Sequence, residues 1–187
     1  RPEAASLLER CELDVLPLIN PDGVWANVAL IRDEGLRFGP LRRSNARGVD
    51  LNRNFGAQYN NLWRAYRSRW SDEFSGEGPF SEPESRALRA LVEERRYAAA
   101  INLHSYSSVF LYPRFSGEAS DPLVQRVAER LPQVQPYERY GVVQGGKFFR
   151  QTVIQDALFQ AVRGTRWVHG TFDDWLDEQG TRTLLIE

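Results

Sequence analysis

Two polar side chains come directly after apolar runs that are typical of buried strands. His104 follows residues 97–103, and Glu187 follows residues 183–186. An imidazole can bind a metal ion, and a carboxylate that is partly desolvated can transfer protons near neutral pH. Ligands of open α/β sheets bind beyond the carboxyl ends of the strands, so we expect both side chains to lie at one edge of a sheet.

A third polar group lies in the sequence Asn20-Pro21-Asp22-Gly23, which follows the apolar residues 15–19. Proline fixes φ and glycine accepts positive φ, so this cluster has strong turn chemistry. The pattern predicts a buried strand over residues 15–19 that ends in a loop. The three polar groups are then expected to converge at the same edge of the sheet.

The remaining elements are predicted from periodicity and from helix-start signals. Residues 25–78 are rich in Arg, Asn, Gly and aromatics with weak periodicity, which predicts irregular structure with one helix near residues 58–70. Ser81-Glu82-Pro83-Glu84 has the pattern of a capping box and predicts a helix over residues 82–96. A second helix is predicted over residues 121–131. Strands that alternate with helices predict an α/β fold, a three-layer sandwich with a mixed, largely parallel sheet flanked by helices.

Length and composition narrow the classes of function. The 187 residues fit one domain over 1–187, and the chain stops within what should be a central strand, so we expect an incomplete domain. The 24 basic and 25 acidic residues give a net charge of −1, which argues against a nucleic-acid partner. No apolar run approaches the roughly 18 residues of a membrane helix, so no membrane partner is expected. Oligomeric state and compartment are not predicted.

Four short motifs follow one another along the chain. They are Asn20-Pro21-Asp22-Gly23, Gly48-Val49-Asp50-Leu51-Asn52-Arg53-Asn54-Phe55, His104-Ser105-Tyr106 and Glu187. In this order they resemble the zinc carboxypeptidase family, the metallocarboxypeptidases similar to carboxypeptidases A and B, and the resemblance runs from about residue 13 to residue 187. It implies a zinc-exopeptidase-like fold, truncated here at both ends, and zinc-dependent hydrolysis of the bond next to a free C-terminal carboxylate.

The resemblance implies one Zn²⁺ ion with His104 as one of its ligands. In the family the other two ligands come from an early His-x-x-Glu motif. The chain has two histidines, His104 and His169, and neither begins such a motif. We therefore expect the two further ligands upstream of Arg1. Glu187 matches the family's catalytic carboxylate, which hands a proton to the departing amine.

The resemblance also assigns residues that bind a peptide substrate with a free C-terminus. Asn52 and Arg53 match the pair that binds the terminal carboxylate, for which the planar guanidinium of arginine is well suited. A further arginine polarises the scissile carbonyl and holds the oxyanion. The Arg-x-Asn spacing places this residue at Arg43, with Arg42 as the alternative.

Further substrate contacts follow from the same resemblance. Ser105 and Tyr106 are implied at the site because they follow His104. Phe159 lies in a segment, residues 157–161, that resembles the mobile cap over the terminal residue, where the family often has tyrosine. Asp173 is implied at the floor of the specificity pocket, where it would pair with a basic terminal side chain of the substrate.

Two other functions fit the sequence. The first is an amidase of the same fold that acts on a bacterial cell-wall peptide or another amide, because residues 43–50 are equally close to such members. The second belongs to a different class, a non-catalytic module that binds peptide C-termini through Arg53 without zinc. Metal content of the parent protein separates the enzymes from the binder.

Overall fold

The computed structural model of the protein describes residues 2–34, 41–61, 64–104, 109–113, 121–134, 141–144 and 169–186. Three short 3₁₀ helices span Leu51–Arg53, Tyr59–Asn61 and Arg64–Arg67. The α-helices of the described residues are α1 (Pro2–Leu8), α2 (Pro21–Glu34), α3 (Pro83–Arg95), α4 (Pro122–Val134) and α5 (Phe172–Glu178). The strands are β1 (Ala99–Leu103), β2 (Val109–Tyr112), β3 (Gly141–Gln144) and β4 (Arg182–Ile186).

The four described strands form one mixed sheet in the order β1-β4-β2-β3. β1 is parallel to β4, and β2 is parallel to β3, whereas β2 and β4 are antiparallel. In the first pair Leu103 lies opposite Ile186, so β1 and β4 end side by side. This register brings the residues that follow both strands to one edge of the sheet.

Helices cover both faces of the sheet, and successive side chains of β4 contact them in turn because they point to opposite faces. Thr183 donates a hydrogen bond to Asp173 in α5. Its neighbour Leu184 instead packs in a buried cluster with Val124 of α4 and Phe110 of β2. The described part of the chain therefore has helix, sheet and helix layers, which confirms the predicted α/β class.

An aromatic cluster joins α3 and α5 to the segment that precedes the sheet. Phe55 is 2% exposed and stacks on Trp175 with ring centroids 6.0 Å apart. The ring centroid of Phe172 lies 4.8 Å from that of Phe55, and Leu88 of α3 belongs to the cluster. Burial of this much aromatic surface fixes the start of α5 against the loop around Phe55.

Four predicted elements are confirmed with small shifts of their ends. The helix predicted over residues 82–96 is α3, and the helix predicted over residues 121–131 is α4. The strand predictions over residues 97–103 and 183–186 correspond to β1 and β4. The prediction of a capping box is wrong, since the N-cap of α3 is Glu82 and its side chain makes no capping hydrogen bond.

The strand predicted over residues 15–19 is wrong. Residues 11–20 form neither helix nor strand, and Val15 and Leu18 are 72% and 51% exposed. An apolar run becomes a strand only where its backbone finds a hydrogen-bonding partner, and Pro17 lacks the N–H that a sheet ladder needs.

The loop predicted at Asn20-Pro21-Asp22-Gly23 is also wrong, because α2 begins at Pro21. The Asn20 Oδ1 atom accepts a hydrogen bond of 3.0 Å from the Gly23 N–H, which is the contact of a helix N-cap. Proline is favoured in the first turn of a helix, where its missing N–H has no intrahelical partner. The same residue types thus serve a helix start as well as a turn.

The prediction of irregular structure over residues 25–78 is correct only beyond α2. The helix predicted near residues 58–70 is wrong, since that region holds two of the 3₁₀ helices instead. Gln58 has a φ of +50°, a left-handed conformation that an α-helix cannot continue through. None of the helices in the described ranges is both long and apolar enough to cross a lipid bilayer.

Candidate functional site

A tight turn over residues 45–49 lies within the arginine loop of the site, which we define as residues 42–53. Asn45 is 1% exposed, and its Oδ1 atom accepts hydrogen bonds of 3.0 Å from the N–H groups of Arg47 and Val49. Gly48 has a φ of +78°, which glycine adopts without steric cost. The turn fixes the point at which Asp50 enters the site.

Asp50 organises the loop through both oxygens of its buried carboxylate. Oδ1 accepts a hydrogen bond of 3.0 Å from the Asn52 N–H and so caps the 3₁₀ helix Leu51–Arg53. Oδ2 accepts a hydrogen bond of 2.6 Å from the Arg43 Nε atom. Because Nε is held in this way, the two Nη groups of Arg43 are the ends that can donate to a ligand.

The end of β1 supplies the second side of the site. The His104 N–H donates to the Ile186 carbonyl at 2.7 Å, which extends the ladder between β1 and β4 by one residue. Asn102 lies two residues earlier and donates a hydrogen bond of 3.0 Å to the Asp173 carboxylate. His104 is thus held at the carboxyl end of the parallel pair, where the sequence predicts it.

Asp173 lies beneath this edge and is completely buried. Its Oδ1 atom accepts from the Thr183 hydroxyl at 2.8 Å, and its Oδ2 atom accepts from Asn102. Burial raises the pKa of the Asp173 carboxyl, and the hydrogen bonds and the neighbouring His104 oppose that rise. The side chain therefore ties α5 to β1 and β4.

The arginine loop and the end of β1 face one cavity of about 260 Å³. Its wall combines one cationic side chain, one carboxylate, amides, an imidazole and apolar side chains. Such a mixture suits a ligand with polar ends and an apolar part. The lining residues are Ile19, Asn20, Arg43, Asp50, Leu51, Asn52, Phe55, Leu88, Asn102, Leu103, His104 and Phe172.

The cavity brings together three of the predicted site residues, Arg43, Asn52 and His104. The other two that the structure describes, Arg53 and Asp173, are 4% and 0% exposed and are not part of this lining. The alternative arginine, Arg42, also lies outside the lining and donates to the Asn45 carbonyl. Four further predictions, Ser105, Tyr106, Phe159 and Glu187, fall on residues outside the described part of the chain.

Arg53 is enclosed by groups that compensate its charge. Its Nη2 atom donates to Glu73 at 2.6 Å, and its Nη1 atom donates to the Asn52 carbonyl at 2.8 Å. The guanidinium also stacks over the Tyr66 ring at 5.1 Å. Burial lowers the pKa of Arg53, but the carboxylates of Asp50 and Glu73 outweigh it, so the pKa lies above its ordinary value.

Asn52 connects the loop to α5. Its Oδ1 atom accepts a hydrogen bond of 3.0 Å from the Phe172 N–H, so the amide NH₂ is the end that can donate to a ligand. Gly170 supports the same contact, because a Cβ atom there would lie 2.4 Å from the Arg53 carbonyl oxygen. Only glycine allows the two segments to approach this closely.

Two residues of the site were missed as functional residues. Asp50 is predicted only as part of the motif over residues 48–55, although its carboxylate pairs with both Arg43 and Arg53. Glu73 gave no signal, because its pairing with Arg53 joins residues 20 positions apart. Contacts of this kind depend on the tertiary fold and not on local spacing.

The described residues do not by themselves form a zinc site. A catalytic zinc site uses three protein ligands and leaves one position for water or substrate. Within the described ranges, no group of three or more His, Cys, Asp or Glu side chains could hold a metal ion. His104 is the candidate ligand that faces the cavity.

Comparisons with known proteins agree with this architecture. A model of the zinc carboxypeptidase family matches residues 1–181. Carboxypeptidase B of Helicoverpa zea is 35% identical over 113 residues, which are 57% of this chain and 26% of the relative. Carboxypeptidase O of Homo sapiens is 33% identical over 112 residues, 57% of this chain and 29% of the relative.

Some relatives are described as inactive. One is the inactive metallocarboxypeptidase ECM14 of Ajellomyces dermatitidis, 33% identical over 122 residues, which are 58% of this chain and 19% of that protein. The chain thus spans less than a third of the length of each of these curated relatives.

Solved structures show the same fold. Thrombin activatable fibrinolysis inhibitor (TAFI) has a TM-score of 0.71 and 24% identity, covering 98% of this chain and 44% of that chain. Carboxypeptidase A from Helicoverpa armigera has a TM-score of 0.63 and 24% identity, covering 92% of this chain and 41% of that chain. With the match of the family model over residues 1–181, the chain belongs to the zinc carboxypeptidase family.

Proposed function

We propose that the full-length protein is a zinc-dependent carboxypeptidase that hydrolyses the bond next to a free C-terminal carboxylate. The observation that carries the proposal is the shared cavity of Arg43, Asn52 and His104. A cation and an amide donor on one side face an imidazole at the end of β1 on the other. Such a site can bind the end of a peptide and present its last amide bond to His104.

Arg43 is proposed to polarise the scissile carbonyl. Asp50 holds its Nε atom at 2.6 Å, which fixes the guanidinium while the Nη groups remain for the carbonyl oxygen. A donor fixed before the reaction stabilises the developing oxyanion without a cost of reorganisation. The Arg43 side chain is 47% exposed, so a substrate can reach it.

Asn52 and Arg53 are proposed to bind the terminal carboxylate. Asn52 lines the cavity, and the Arg53 guanidinium lies against its backbone carbonyl. The pair would supply an amide donor and a charged fork from adjacent residues.

The family implies one zinc ion, which in related sites lowers the pKa of a bound water. We propose His104 as one ligand and place the other two upstream of Arg1. The catalytic carboxylate is proposed to be Glu187, the residue after Ile186 at the end of β4. Ser105, Tyr106 and Phe159 remain proposed substrate contacts.

A preference for basic C-terminal residues is the finer part of the proposal, and it rests on Asp173. Each carboxylate oxygen accepts one hydrogen bond, from Thr183 or Asn102, and keeps acceptor capacity for a substrate cation. Turnover of peptides that end in Arg, Lys, Phe and Glu measures the preference. Equal turnover, or turnover dominated by Phe, would remove Asp173 from the specificity pocket.

A non-catalytic module that binds peptide C-termini is the second candidate. One observation favours it: relatives such as ECM14 are described as inactive. Metal analysis of the full-length protein separates the two. About one zinc per chain supports the enzyme, and peptide binding without zinc supports the binder.

The turnover measurements can include cell-wall peptides. Hydrolysis of muropeptides in preference to plain peptides would identify the protein as an amidase of this family and not as a carboxypeptidase.

A further inference from the structure

Glu73 pairs with the guanidinium group of Arg53. In the proposed function, Arg53 binds the terminal carboxylate of the substrate. The Arg53 Nη2 and Glu73 Oε1 atoms are 2.6 Å apart, a charge-assisted hydrogen bond. The Arg53 side chain is only 5% exposed, so this bond is shielded from water. A carboxylate of the protein itself is thus paired with the guanidinium that a substrate carboxylate would need.

Three ion pairs link four charged side chains around Asp50. Asp50 pairs with Arg43 at 2.6 Å and with Arg53 at 3.9 Å, and Glu73 pairs with Arg53. This chain of pairs contains two guanidinium and two carboxylate groups. A third carboxylate that entered from a substrate would leave one negative charge unmatched, which is costly in a site shielded from water.

The two acids differ in how readily they can leave. The Asp50 side chain is 4% exposed and accepts hydrogen bonds from Arg43 and from the Asn52 N–H, so it is fixed. The Glu73 side chain is 27% exposed and can turn toward water. Departure of Glu73 would remove one negative charge from this chain of pairs, and a terminal carboxylate would restore it.

The Arg53 guanidinium also has a spare donor. Its Nε atom is buried and has no hydrogen-bond partner. A buried N–H without a partner costs free energy, which a ligand oxygen could recover. The present pairing with Glu73 therefore does not use all of the donors that Arg53 offers.

We propose that Glu73 is an internal competitor that pairs with Arg53 in the free protein and releases it when a peptide's terminal carboxylate binds. The inference rests on the proposed role of Arg53 in binding that carboxylate. The competition weakens the binding of ligands that carry a terminal carboxylate and does not act on ligands that lack one. Glu73 accordingly sets the affinity for the substrate without taking part in the bond cleavage.

The test uses the full-length, zinc-loaded protein and calorimetric titration with L-phenylalanine, L-arginine and their amides. Glu73→Gln keeps the size of the side chain and removes its charge. We expect this variant to bind the two acids about tenfold more tightly, with unchanged binding of the amides. Glu73→Asp keeps the charge on a shorter side chain and is expected to fall between the wild type and Glu73→Gln.

The matched control is Glu77→Gln, because Glu77 pairs with Arg69 at the surface. It is expected to bind all four ligands as the wild type does. Unchanged or weaker binding of the acids by both Glu73 variants, with acids still preferred over amides, overturns the competition and leaves the proposed function intact. Equal binding of acids and amides by the wild type overturns both.

Discussion

Two arginines of the same loop pair with the Oδ2 atom of Asp50 and differ in what they can do. On the cavity side, Arg43 is 47% exposed and lines a ligand-sized space shared with His104. On the buried side, Arg53 is 5% exposed and is held by Glu73 and by the Tyr66 ring. A ligand can reach Arg43 directly, whereas a ligand of Arg53 would first have to replace Glu73.

The difference shows that a shared carboxylate does not give its partners equal roles. A buried charge is stable only while it is paired, so Arg53 supports the fold as well as any ligand. An exposed cation such as Arg43 adds little to stability, and its value lies in what it contacts next. Substitutions on the two sides should therefore separate folding from activity.

The largest effect is expected from Arg53→Ala, which removes the central cation of the buried side. Glu73 can turn to water, so the cost should be near the lower end for a broken buried pair, about 3 kcal/mol of unfolding free energy. Urea denaturation measures it. Arg69→Ala, which breaks a surface pair, is the control and should cost far less. Equal losses in the two variants would contradict the structural role of Arg53.

Arg43→Ala should show the reverse pattern. We expect kcat/KM to fall about 10²- to 10³-fold because the oxyanion loses a fixed donor. The denaturation midpoint should fall less than in Arg53→Ala, because Asp50 keeps the Asn52 N–H and Arg53 as partners. Steady-state kinetics on the full-length protein provides the measurement. Arg42→Ala serves as the control, since Arg42 lies outside the cavity lining, and a larger loss there would transfer the oxyanion role to Arg42.

Gly170→Ala should disturb the buried side without removing a charge. The new Cβ atom would meet the Arg53 carbonyl oxygen at 2.4 Å, and the φ of +72° is unfavourable for alanine. We expect a loss of about 2 kcal/mol in unfolding free energy. Gly180→Ala is the control, because it has a similar φ of +82° but no atom near its Cβ position. Equal costs would mean that only the backbone angle matters.

The smallest effect is expected from pH at His169, next to that glycine. Burial lowers the pKa of His169, so the folded state favours the neutral ring. This contribution to stability is complete above the unfolded pKa of about 6.5 and is lost as the pH falls through the lowered folded pKa. Denaturation at several pH values should show a decline below about 6.5 that His169→Phe reduces. An unchanged decline would assign it to other groups.

The sequence predicted the elements whose signals are local. α3, α4, β1 and β4 each combine an apolar pattern with clear ends, and all four are present. The failures at residues 15–23 have a different origin. The apolar residues 15–19 have no sheet partner among the described residues, and Asn20-Pro21 is equally suited to a turn and to a helix start.

The candidate site was predictable in its residue types but not in their orientation. The family resemblance located Arg43, Asn52 and His104, which do share a cavity. It could not show that Arg53 turns inward, because Glu73 and Tyr66 lie 20 and 13 positions further along the chain. Burial of a side chain depends on such distant contacts, and these are decided by packing and not by the motif.

The most direct test of the central claim compares one peptide with a free C-terminus and the same peptide with an amidated C-terminus as substrates. The full-length protein is predicted to release the last residue of the free acid alone, to lose this activity with a chelator and to regain it with Zn²⁺. Equal cleavage of the two peptides, or cleavage that survives removal of the metal, would contradict the proposed zinc carboxypeptidase.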